Sequence, residues 1–131
     1  MTDPYRIIEG ALTKAVDHGL NVLGGGAIFD WEAGEKLVGV CALGAVLWDA
    51  GEARPCKWTG TTLEPPKGRL KAICRILGVN SQWVWRFIQG FCYGNALSVL
   101  VQKDGGEWVE VEDDVSRRGL RMRKRFRNLK D

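Results

Sequence analysis

Histidine, paired cysteines, long apolar runs and, over one stretch, negative charge are all scarce in this 131-residue sequence, and each shortage excludes something. His18 is the only histidine, and Cys41, Cys56, Cys74 and Cys92 lie 15, 18 and 18 residues apart, so no C-x-x-C pair is present to start a tetrahedral zinc site. No metal and no cofactor is expected. Three of the cysteines fall in apolar stretches, which favours free buried thiols over a disulfide framework. The longest apolar run, Leu37 to Trp48, has twelve residues, well short of the roughly 20 a membrane-spanning helix needs. It reads as a core helix, and no membrane partner is expected. Residues Met1 to Glu9 carry Asp3, Arg6 and Glu9 with no apolar h-region, so the expected location is cytoplasmic.

Negative charge is absent from Lys67 to Lys103, where six basic residues stand alone. Six acidic residues follow between Asp104 and Asp114, and eight basic ones between Arg117 and Lys130, within a net charge of +3. Such polarity suits a polyanionic partner or an acidic protein surface. Six tryptophans are the one excess, and they suit core filling or an aromatic contact face.

The length fits one domain. Asp3-Pro4 is a helix start, because an Asp cap accepts free N–H groups and Pro fits the first turn. Ile7, Ile8, Ala11, Leu12, Ala15 and Val16 then repeat at helical spacing up to Gly19. Gly24-Gly25-Gly26 lacks both the Lys-Ser/Thr of a P-loop and the spacing of a dinucleotide turn, so it reads as a turn. A second helix is expected over about 35–50 and a loop over 52–66, which holds Pro55, Pro65 and Pro66. Two more helices are expected at about 67–77 and 81–91, with Gly78 closing the first and Asn80 capping the second. Val99-Leu-Val101, Lys-Asp-Gly-Gly and Trp108-Val-x-Val111 resemble a hairpin over about 97–112. The last helix, 114–129, has an apolar stripe at Val115, Gly119, Met122, Phe126 and Leu129. The expected fold class is therefore mainly α: a compact single domain of four to five helices with a β-hairpin at about 97–112.

Ile73, Cys74, Leu77, Gly78, Val79, Val84 and Phe87 stand at offsets that resemble the helix-turn-helix of bacterial and phage repressors. A tight turn needs Gly, a small residue lets the helices cross closely, and the apolar positions fix the angle. The resemblance implies that the second helix reads a DNA groove with Asn80, Ser81, Gln82, Trp85 and Arg86. Gln suits adenine and Arg suits guanine. The same residues also fit an ordinary packed helix pair. More broadly, Cys41-Ala-Leu-Gly-Ala45, Leu77-Gly-Val79, Trp83 to Gly94 and the late Arg-rich helix resemble small uncharacterised helical proteins of bacteria and phages. The chain departs from them at Cys92-Tyr93, where theirs have Asp-Gly after Gly-Phe.

The basic tail supplies Arg117, Arg118, Arg121, Arg123, Lys124, Arg125 and Arg127 as phosphate or partner contacts. A thiol enzyme would rest on Cys41 and His18 with Asp17 or Asp49 as orienting group, but an apolar setting keeps a thiol protonated and inert. The expected function is a small non-enzymatic regulatory protein, bacterial or phage in type, that binds nucleic acid. A protein-interaction module with an acidic partner is the alternative, and a thiol enzyme comes third.

Overall fold

The computed structural model describes residues 3–24, 28–32, 36–52 and 67–126. Of the loop expected over 52–66, residues 53–66 with Cys56 lie outside the described residues, as do the glycines 25 and 26 and the tail positions Arg127 and Leu129.

Helix α1 spans Pro4–Asp17 and starts as its sequence dictates: the Asp3 side chain accepts the Tyr5 N–H at 2.9 Å and Pro4 occupies the first turn. Its buried stripe is Ile8, Ala11, Leu12 and Ala15. The chain then enters a three-stranded sheet of order β1-β3-β2. Here β1 is Asn21–Val22, β2 is Phe29–Glu32 and β3 is Lys36–Val40. The central strand β3 runs parallel to β1 and antiparallel to β2, with a register shift between Asp30 and Trp31.

This sheet corrects the mainly-α expectation. Five helices and five strands in two sheets make the described residues a mixed α/β fold in which helices predominate. The helix expected over about 35–50 is instead strand β3 followed by a short helix α2, Ala42–Asp49. The boundary is Cys41, whose extended backbone ends the strand and whose sulfur accepts the Gly44 N–H at 3.4 Å as a cap. A continuous apolar run buried on all sides has the same pattern as strand or helix, so periodicity alone cannot divide it.

Helices α3 (Lys67–Leu77) and α4 (Ser81–Phe91) flank a short turn. Gly78, at φ 69°, takes the left-handed conformation that ends α3, and the Asn80 side chain accepts the Trp83 N–H at 2.8 Å to cap α4. Strands β4 (Ser98–Gln102) and β5 (Trp108–Glu112) pair as an antiparallel hairpin, which leads into α5 (Asp114–Phe126).

Most of α4's packing is against α5, with only light contact to α3. The two helices meet at Gly90 and Gly119, where backbone touches backbone: a Cβ on Gly90 would collide with the Ser116 carbonyl, and one on Gly119 would lie 2.6 Å from the Phe87 oxygen. Phe87 and Phe91 fill the centre beside this crossing, together with Ile8, Leu12, Leu47, Ile73 and Leu77. One continuous core joins all five helices and β3.

Candidate nucleic-acid interface

Asp113, at the joint between the hairpin and α5, is only 4% exposed. Its carboxylate is fully engaged: Oδ1 accepts from the Arg86 guanidinium at 2.7 Å and Oδ2 from the Ser116 N–H at 2.9 Å. Ser116 is completely buried, and its hydroxyl accepts the Leu97 N–H at 2.9 Å while donating to the Asp113 carbonyl at 3.2 Å. Arg86 is thereby held to the start of α5. Of the five residues expected to face a groove, Asn80 spends its side-chain oxygen on capping and Arg86 spends a guanidinium nitrogen on Asp113. Ser81, Gln82 and Trp85 remain exposed on α4, Trp85 at 56%.

The tail residues divide by partner. Arg123 donates to the carbonyls of Phe91 and Cys92 at 2.9 and 2.7 Å, which closes the C-terminal end of α4. Arg117 pairs with Glu112 at 3.2 Å and lies 3.6 Å from Asp114. Arg118 reaches Asp114 at 3.1 Å and stacks over the Tyr5 ring at 4.5 Å. Arg125 meets Glu9 at 2.9 Å. Arg121 and Lys124 are exposed and have no ion-pair partner among the described residues.

Tyr5 and Glu9 on α1 complete a groove of about 280 Å³ whose other walls are Arg118, Arg121, Met122 and Arg125 on α5. The groove combines three guanidinium groups, one carboxylate, an aromatic ring and a thioether. Burial pushes the Tyr5 phenol up from its ordinary value, and Asp114 adds to the shift, so the hydroxyl stays a neutral donor. Neither Tyr5 nor Glu9 was legible as a site residue, because both read as ordinary positions on an amphipathic helix. The contact between α1 and α5 spans more than a hundred residues of sequence and leaves no local signal.

The thiol reading meets an unreactive setting. Cys41 is 2% exposed, and a hydrogen bond with Cys92, followed by burial, raises its pKa well above 9.0. His18 is an exposed residue at the end of α1, with Nδ1 2.8 Å from the Lys14 carbonyl oxygen and its ring edge-on to Trp48. Among the described residues no group of three or more His, Cys, Asp or Glu side chains could hold a metal ion, and no helix is long and apolar enough to cross a membrane. Comparison with known protein families, with curated proteins and with solved structures gives no match for the chain.

Proposed function

We propose that the protein is a non-enzymatic regulatory protein, bacterial or phage in type, that binds nucleic acid along α5. The carrying observation is the arrangement of positive charge on that helix. Its apolar side (Val115, Gly119, Met122) is buried, with Gly119 against α4, while Arg118, Arg121 and Arg125 line the α1 groove and Lys124 is exposed. Guanidinium and ammonium groups along one helix face neutralise phosphates in series, and Arg121 and Lys124 enter the series with no ion-pair partner among the described residues. Gln82 and Trp85, exposed on α4, add a hydrogen-bonding side chain and a stacking surface. Arg86 takes a supporting role, because its guanidinium fastens α4 to the start of α5.

Fluorescence anisotropy with labelled duplex DNA, single-stranded DNA and RNA at low salt tests the reading. Micromolar or tighter binding is expected, and Trp85→Ala weakens it most for single strands, where base–aromatic stacking contributes about 1–3 kcal/mol. Absence of binding to all three at low salt, with recovery of an acidic protein partner instead, replaces nucleic acid by a protein surface as the ligand of the same face.

A further inference from the structure

The β4–β5 hairpin exposes apolar surface that nothing among the described residues covers. Val99 faces Val111 and Val101 faces Val109 on one side of the ribbon, while Leu100 stands on the other side at 67% exposure. An isolated two-stranded ribbon is marginal in water, and an uncovered edge is a template for a further strand.

The ladder shows which edge is open. Residues opposite one another in an antiparallel pair alternate between those that exchange main-chain bonds and those that do not. Asp113 N–H donates to the Leu97 carbonyl at 2.8 Å and Lys103 N–H to the Glu107 carbonyl at 2.7 Å. With the register unbroken between them, the alternation places Val99 and Val101 in bonding pairs with β5. Ser98, Leu100 and Gln102 consequently turn their N–H and C=O groups to the outer edge of β4. No other strand pairs with that edge among the described residues.

Charge separates the two edges. Strand β4 reads Ser-Val-Leu-Val-Gln and carries none, whereas β5 reads Trp-Val-Glu-Val-Glu. A two-fold axis at Glu110 would set identical carboxylates against each other, which is unfavourable. An axis at Leu100 of β4 sets Leu100 against Leu100, Val99 against Val101 and Ser98 against Gln102, with no charge opposed. It also brings the three outward-facing residues into bonding register.

We infer that β4 pairs antiparallel with β4 of a second copy of this chain, about a two-fold axis at Leu100, to form a four-stranded sheet with one continuous valine face. The pairing supplies two main-chain bonds for each of three bonding pairs. It rests on one five-residue strand per copy, against the roughly 20–30 residues a side of a standard interface, so association is reversible and depends on concentration. The inference uses no residue of α5 and stands apart from the nucleic-acid reading.

Sedimentation from micromolar to millimolar concentration tests it, combined with amide exchange by NMR at each concentration. The expected mass rises from 14.6 kDa toward twice that value. Protection of Ser98, Leu100 and Gln102 amides rises with it, while Val99 and Val101 are protected throughout. Leu100→Lys opposes two ammonium groups and returns the mass to the monomer, with unchanged melting because this side chain already lies in water. Leu100→Pro does the same by removing an outward N–H that the hairpin does not use. A monomeric mass at millimolar concentration overturns the inference. So does a dimer whose new protection falls on β5, or one that survives Leu100→Lys.

Discussion

Substituting alanine at two helical glycines, Gly119 and Gly10, should move stability in opposite directions. Removing a glycine from a helix interior favours folding by about 0.5–1 kcal/mol at either site, through backbone entropy. At Gly10, on the exposed side of α1, a Cβ meets nothing within 4 Å, so that gain stands alone. At Gly119 the Cβ would lie 2.6 Å from the Phe87 oxygen and 3.1 Å from the Phe91 nitrogen. Both are main-chain atoms of α4 and cannot rotate aside, so α4 and α5 must separate. Overpacking of this kind costs about 1–3 kcal/mol, and parting the helices loosens Phe87 and Phe91 as well. The net expectation is a loss of about 1–2 kcal/mol for Gly119→Ala against a gain of about 0.5–1 kcal/mol for Gly10→Ala. Urea unfolding followed by far-UV circular dichroism reads both, and the difference corresponds to melting temperatures roughly 5–10 °C apart. Equal stabilisation by the two substitutions would refute the backbone contact at the α4–α5 crossing.

Asp113→Ala strips Arg86 of its carboxylate and the Ser116 N–H of its acceptor, so a loss of about 2–4 kcal/mol is expected on denaturant titration. Arg123→Ala should cost about 1–2 kcal/mol by exposing the last carbonyls of α4, with little effect on phosphate contacts. Cys41→Ser is expected to lower stability while leaving binding intact, because it places a hydroxyl in a packed core. The buried Cys41 thiol binds its proton more tightly folded than unfolded, as does the Tyr5 phenol. Their contribution is therefore complete below about pH 9 and declines as pH rises beyond it; chemical denaturation between pH 7 and 10.5 should show that fall, and Cys41→Ala should flatten it.

Sequence signals were sufficient wherever a local rule decides structure. Asp3-Pro4 and Asn80 announce helix starts through side-chain caps, and Gly78 marks a turn that needs positive φ; all three act within a few residues. The Lys103-Asp-Gly-Gly106 turn between valine-rich segments likewise points to the β4–β5 hairpin. The three-stranded sheet escaped because Leu37 to Trp48 is apolar without interruption, and its division at Cys41 depends on pairing with Asn21–Val22 and Phe29–Glu32 rather than on any pattern of its own. Similarly, the six bases from Arg117 to Arg125 look alike in sequence. Only their neighbours separate Arg123, bound to α4 carbonyls, from Arg121 and Lys124, which have no ion-pair partner among the described residues. The aromatic pile of Tyr5, Trp83 and Phe87, with Arg118 over Tyr5, is a tertiary feature of the same kind.

The most direct test of α5 as a phosphate-contacting helix is the salt dependence of duplex DNA binding, compared between the native chain and Arg121→Ala/Lys124→Ala. Each phosphate contact contributes about −0.9 to the slope of log affinity against log salt. Since both side chains are exposed, their removal should leave the fold intact and make the slope shallower by about 1.8, to a similar extent on unrelated sequences. An unchanged slope, or no duplex binding by the native chain at low salt, would contradict the assignment of α5 to nucleic acid.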